Sequence, residues 1–356
     1  MRFSIVFTSV FASTLVSAHG SGSIDQELAR RAEFLKYSRS DVSHCAAKIK
    51  ARGLEERAVK RRAETVEALR QKRGIKTRRD LESVLNTDHN QTAKGYDLDT
   101  PIAELFATNK SCVLTPEGES GPYYVAGEYI RTDLAEAEAG IPVHYDFQIL
   151  DATTCEPISG AYYEIFNCNT TGVYSGTTNG GNGNTADVSV LDATWLRGIQ
   201  PTDEDGVAQF DTLFPGHYGG RATHIHTILH ANATARDNGT IFDLSASHIG
   251  QVFWDQSVRD QVELLEPYNA NTKQVTLNKD DRVFAAEVEN DNDPVFNYVL
   301  IGDTIEDGFL AWLTLGVDTT LRSTINPAAI YYEDGGVEQG NGGGPGGPGG
   351  PPPEAR

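Results

Sequence analysis

Two textures follow one another along the chain. Residues 24–85 are rich in Ala, Leu, Glu, Lys and Arg and poor in β-branched side chains, as in "DQELARRAEFLKYSR" and "RAVKRRAETVEALRQKR". Such residues lose little freedom in a helix, so the segment is predicted helical, punctuated only by Gly53 and Gly74. From about residue 105 the period changes. Short alternating or β-branched runs are bounded by Gly, Pro, Asn and Asp: "VHYDFQILDATTCEPISG", "AYYEIFNCNTTG", "GVAQFDTLFPG", "THIHTILHANA" and "HIGQVFWDQ". This pattern predicts antiparallel strands and hairpins, and their spacing predicts a β-sandwich. The fold class read here is mainly β, an antiparallel β-sandwich with an N-terminal helical arm. Residues 176–200, rich in Gly, Asn and Thr, read as a long loop. Residues 336–356, "GVEQGNGGGPGGPGGPPPEAR", are low in complexity and predicted to be disordered.

The start of the chain changes the context. Arg2 precedes an apolar run from Phe3 to Leu15, and Val16-Ser17-Ala18 closes it with a small-x-small pattern. Residues 1–18 therefore read as a secretory signal peptide, too short to span a bilayer. No later stretch is long and apolar enough to cross one, so the expectation is a secreted, extracellular protein without a membrane partner, beginning near His19. Sequons at Asn90, Asn109, Asn169, Asn232 and Asn238 are then candidate glycan acceptors. Cys45, Cys112, Cys155 and Cys168 would meet an oxidising compartment, where one or two disulfides are expected, and spacing does not choose the pairing.

Charge divides the chain of 356 residues the same way. Residues 19–90 hold 17 Lys and Arg against 11 Asp and Glu, whereas residues 91–356 hold 12 against 39, within an overall formal charge of −20. An acidic body argues against nucleic acid as a partner and disfavours anionic substrates at long range. The organisation read is a signal peptide (1–18), a basic helical arm or propeptide (19–95), a β-sandwich domain (105–320) and a tail (336–356). The arm is expected to pack on the body or to pair subunits as a homodimer. "KRR" and "RQKRGIKTRR" are candidate processing sites.

The candidate chemistry lies in "FPGHYGGRATHIH", residues 214–226. On a strand His224 and His226 share a face, because side chains alternate with period two. Many strands carry H-x-H without metal, and His230 and His248 complete no pattern. Tyr218 stands among glycines that let the backbone turn and expose a phenol. Tyr174 follows a turn in "NTTGVYSG". Taken singly, each tyrosine reads as an ordinary half-buried aromatic. Taken together, two phenols and two imidazoles make a hard, anionic ligand set that favours Fe(III), and a trivalent ion lowers a phenol's pKa far enough to ionise it.

Four motifs in order, "LTPEGESGPYYV" (114–125), "CEPISGAYYEIFNCNTTGVYS" (155–175), "FPGHYGGRATHIH" (214–226) and "IGQVFW" (249–254), resemble the intradiol ring-cleavage dioxygenases, the family of catechol 1,2-dioxygenase and protocatechuate 3,4-dioxygenase. The secreted fungal branch is the nearest in pattern. The resemblance spans about residues 105–320 and implies a non-haem Fe(III) enzyme that uses O2 to open a catechol-type ring between its hydroxyl-bearing carbons, giving a muconate-type diacid. It implies Tyr174, Tyr218, His224 and His226 as metal ligands. Tyr218 would also act as a base, Arg221 would stabilise negative charge developing on the ring, and Gln251 would orient the substrate. Phe166-Asn167 stand where many relatives have Trp-His, a change expected to bear on pocket shape. Two other readings remain: a secreted metal-containing β-sandwich binding protein without turnover, and a zinc hydrolase using the H-x-H pair with a carboxylate.

Overall fold

A computed structural model describes residues 42–75, 122–178, 187–288, 293–332 and 334–339. The signal peptide, Asn90, Asn109, Cys112 and residues 340–356 of the tail lie outside them. Helices α1 (Ala46–Ala51) and α2 (Leu54–Lys72) carry the arm. Gly53 separates them in the left-handed region, φ +64°, as its place in the sequence suggests. In chain order the strands are β1 (Val125–Ala126), β2 (Pro142–Asp151), β3 (Tyr162–Phe166), β4 (Arg197–Pro201), β5 (Val207–Leu213), β6 (His224–His230), β7 (Ser245–Ala246) and β8 (His248–Phe253). Then come α3 (Gln256–Val262), α4 (Arg282–Glu287), β9 (Asn297–Leu300), β10 (Phe309–Val317), β11 (Ser323–Thr324), β12 (Ala329–Tyr332) and β13 (Gly335–Glu338).

Two four-stranded sheets form the body, ordered β5-β2-β10-β9 and β4-β3-β6-β8. One core fills the space between them, with Tyr145, Phe147 and Ile149 of β2 and Leu313 of β10 from one sheet, and Ile165, Ile225 and Val252 from the other. The protein is thus mainly β, as its alternation predicts. It is not wholly antiparallel: β2 and β10 run parallel. A parallel pair needs a long crossover, and reading adjacent hairpins cannot reveal one. Two further expectations are corrected. The end of the segment read as loop, residues 197–200, belongs to strand β4, held antiparallel to β3. The start of the segment read as disordered tail, residues 336–338, belongs to strand β13, paired with β12. The glycines of β13 fit there because a Cβ on Gly336 would lie 1.8 Å from the Leu191 carbonyl oxygen.

The arm covers the outer face of the first sheet. On β2, His144, Asp146 and Gln148 alternate with the core residues and look in sequence like a solvent face, yet they too are buried. Helix α2 lies over them. Its buried positions, Leu54, Ala58, Arg62, Val66 and Leu69, recur at helical spacing. Val66 and Leu69 pack on Val299, Ile301, Leu310 and Trp312, while Arg61 and Arg62 reach Asp146 at 2.8 and 3.0 Å. A disulfide between Cys45 and Cys155 ties the start of the arm to the turn after β2, and Cys168 is a buried thiol.

Candidate metal centre

Strand β6 opens with two imidazoles on one face, and their Nε2 atoms lie 3.2 Å apart. Nδ1 of His224 is 2.6 Å from the Ala222 carbonyl oxygen. A carbonyl only accepts, so Nδ1 carries the hydrogen and Nε2 presents its lone pair. His226 stacks on Phe166, its partner across β3 and β6, with ring centroids 4.5 Å apart and planes 1° apart. The Tyr218 hydroxyl oxygen lies 3.3 Å from His224 Nε2. The Tyr174 ring meets those of Tyr218 and His226 edge-on, at 5.6 and 5.9 Å. The four side chains singled out in the sequence therefore converge, none more than 2% exposed.

Their donor chemistry can be tested against one ion. Two donors about 2.1 Å from a metal, at an angle between right and tetrahedral, stand roughly 3.0–3.4 Å apart. The separations of 3.2 Å between the imidazoles and 3.3 Å from phenol to imidazole fall in that range. Burial pushes both phenols well above their ordinary pKa; for Tyr174 the neighbouring Tyr218 adds to this, and for Tyr218 the Arg221 cation pulls the other way. Two phenols that burial keeps neutral need a multivalent cation to ionise them. The residues present fit a hard trivalent ion.

Glycine has a different use here from the one its sequence context suggests. Tyr174 and Tyr218 are buried, not exposed. The glycines instead let two loops touch backbone to backbone. A Cβ on Gly172, where φ is +76°, would lie 2.1 Å from the His217 carbonyl oxygen, and one on Gly216 would lie 2.3 Å from that of Asn169. The loop of Tyr174 is thereby seated against the loop of Tyr218. His217 anchors the latter, with Nδ1 2.7 Å from Glu263 Oε1 and Nε2 3.0 Å from the Lys273 carbonyl oxygen.

Arg221 and Gln251 join the same constellation. Gln251 pairs with His226 across β6 and β8, and its Oε1 accepts from Arg221 Nη2. Arg221 Nη1 faces the Tyr218 oxygen at 3.5 Å, and Nε donates to Asp281 Oδ2 at 3.0 Å. His230, on the same strand, turns away to Glu164 at 3.0 Å. His248 is buried at the start of β8, opposite Leu229.

Sequence reading misses several neighbours. Tyr123 stacks on Tyr174, centroids 4.3 Å apart, and meets Tyr218 edge-on at 5.4 Å. It stands in "GPYYV", where only position in a motif could mark it. Arg197 lies 5.8 Å over the Tyr174 ring and 5.0 Å over Phe166, and donates to the carbonyls of Ser175 and Tyr123. It sits in the segment read as loop. Asp281 has no local signal at all.

No family model matches the chain, and no curated protein does. Among solved structures it is similar to an intradiol ring-cleavage dioxygenase from Tetranychus urticae, with 32% identity over 60% of this chain and 98% of that one, at a TM-score of 0.48. A second dioxygenase shares 29% identity over 60% of this chain and 98% of that one, at 0.46. The dioxygenase domain of a carbohydrate-binding fusion from Streptomyces sp. SirexAA-E shares 21%, over 56% of this chain and 94% of that one, at 0.36. The likeness rests on sequence identity along nearly the full length of the first of these. Superpositions at these scores add nothing to it.

Proposed function

The chain belongs to the intradiol ring-cleavage dioxygenase family, and from that premise we propose that it is a secreted Fe(III) enzyme that opens catechol-type rings with O2. Tyr174, Tyr218, His224 and His226 would hold the iron. The observation that carries this reading is the convergence of two buried phenols and two imidazoles, with donors 3.2 and 3.3 Å apart, beside a buried guanidinium. Iron, when bound, supplies Lewis acidity and takes electron density from the substrate ring.

The chain's own groups have separable tasks. The Tyr218 oxygen stands between His224 Nε2 and Arg221 Nη1, at 3.3 and 3.5 Å, so as an oxyanion it can take a catechol proton while the cation beside it stabilises the negative form. Gln251 holds the far edge of that guanidinium. His224 is kept in one tautomer by the Ala222 carbonyl, and His226 is kept in plane by Phe166. Burial of the whole set keeps water from competing for the site. In the overall reaction the bond between the hydroxyl-bearing carbons breaks, and each carbon gains one oxygen atom of O2, giving a diacid with no external reductant.

Zinc sites in proteins draw on Cys, His and carboxylates, so the two phenols weigh against the zinc hydrolase. The fixed Arg221 weighs against a binding protein without turnover. The test is oxygen uptake by iron-loaded protein with a panel of catechols under labelled O2. One O2 consumed per ring-opened diacid, with both labelled atoms retained, is the expected result. Uptake without ring opening, or none with any catechol, overturns the proposal.

A further inference from the structure

Asp281 ends the segment before α4, far from the motifs in sequence, and its side chain is fully buried. Its two oxygens meet four donors. Oδ1 accepts from the backbone N–H of Val283 at 2.8 Å and of Phe284 at 3.0 Å, which caps α4. Oδ2 accepts from Arg221 Nε at 3.0 Å and from the Ala222 N–H at 2.6 Å. The carboxylate thus locks a helix end to the turn that carries the guanidinium. Gln251 accepts from Nη2 on the opposite edge, and Nη1 faces the Tyr218 oxygen. The carbonyl of the same residue, Ala222, in the next peptide unit, accepts from His224 Nδ1.

We propose that Asp281 is the positioning residue of the site: it fixes the plane of Arg221 so that Nη1 points at the Tyr218 oxygen. The inference rests on the dioxygenase reading for its effect on turnover, but not for its effect on Arg221 itself. A carboxylate is required because four donors converge on it. An amide offers one oxygen, which the Val283 and Phe284 N–H groups retain because Asn caps a helix as well as Asp does, so Asp281→Asn turns an NH2 donor toward Arg221 and releases it.

Two measurements on the full-length chain decide it. The first needs no turnover. In protein labelled at arginine Nε, exchange of the Arg221 Nε–H with water is slow in the wild type and at least about tenfold faster in Asp281→Asn, because a buried donor has lost its acceptor. Unchanged exchange overturns the proposal. The second is a double-mutant cycle with Arg221→Lys. Asp281→Asn is expected to lower kcat for catechol by about ten- to a hundredfold on the wild-type background, with KM within about threefold. On the Arg221→Lys background it should lower kcat by less than about threefold, because the group it positions is already gone. Equal losses on both backgrounds mean a general structural role and overturn the proposal. Should the Asn variant not fold, Asp281→Glu keeps the charge and displaces it, and passes through the same two measurements. Wild-type protein that turns over no catechol sinks the dioxygenase reading, while the exchange measurement still decides on Asp281.

Discussion

Replacing Asp146 tests whether the arm is part of the fold or a detachable piece. The Asp146 side chain is fully buried and accepts four bonds: from Arg61 Nε at 2.8 Å and Nη2 at 3.0 Å, from Arg62 Nε at 3.0 Å, and from Gln209 Nε2 at 2.8 Å. Arg62 is 1% exposed, and its two Nη atoms have no hydrogen-bond partner among the described residues. Asp146→Ala would strand that cation. Removing one member of a buried pair costs about 3–5 kcal/mol, and the poor satisfaction of Arg62 places the expected loss near the upper end. At roughly 2–4 °C per kcal/mol for a domain of this size, Tm should fall by about 10–20 °C. Urea denaturation at pH 7 is the assay, followed by Trp fluorescence, since Trp312 lies under α2 with the Arg62 guanidinium 5.2 Å from its ring. Pairing Asp146→Leu with Arg62→Met should recover all but about 1–2 kcal/mol, because buried ion pairs exchanged for apolar pairs are often neutral. A loss below about 1 kcal/mol in the single variant would refute the reasoning. The pair also predicts acid sensitivity. Burial alone would raise the Asp146 pKa, but the charges and hydrogen bonds of Arg62 and Arg61 win and hold it below the carboxylate range. A lowered folded value means its contribution is present above about pH 3.9 and is lost as pH falls below that.

Other outcomes follow from neighbouring contacts. His230, buried against Glu164 at 3.0 Å and Asp243 at 3.4 Å, has its pKa pushed up to about 9: burial lowers it, and hydrogen bonds to Asp243 and Glu164 outweigh that. Its contribution is complete below about pH 6.5 and lost as pH rises through about 9, so unfolding free energy should decline over that window in wild type and decline less in His230→Gln. Phe166→Ala removes the ring stacked 4.5 Å from His226 and should cost about 3–5 kcal/mol of stability and about tenfold or more in iron affinity, read by calorimetry and metal titration. Gly172→Ala puts a Cβ 2.1 Å from the His217 carbonyl oxygen and should abolish the iron–phenolate colour, whereas Gly220→Ala, at φ +86° in open space, should keep the colour and cost about 1 kcal/mol. An unaltered spectrum in Gly172→Ala would contradict the backbone-to-backbone seating of the two tyrosine loops.

The sequence was most legible where the cause is local. Alternation in "VHYDFQIL" and "THIHTILH" marks strands, and period two alone places His224 and His226 on one face. The tyrosines were legible only through the motifs around them, since a phenol among glycines has no distinctive period. What stayed hidden depends on long-range partners. Asp146 looks like the wet face of a strand until α2 covers it, and the charge contrast between arm and body says only that the two attract. Arg197 stands in a Gly/Asn/Thr-rich stretch whose last residues become strand because β3 offers them an edge. Asp281 finds Arg221 through tertiary structure alone. The parallel pairing of β2 with β10 arises from the order in which the strands join the sheet, which no local window contains.

The most direct measurement is the visible absorption spectrum of purified protein loaded with iron, recorded before and after anaerobic addition of catechol and repeated for Tyr174→Phe and Tyr218→Phe. The account predicts a red-brown phenolate-to-Fe(III) band that shifts with catechol and that weakens or moves in each variant. A colourless protein that still binds iron, or a band indifferent to both tyrosine substitutions, would contradict the two-phenolate centre on which the account rests.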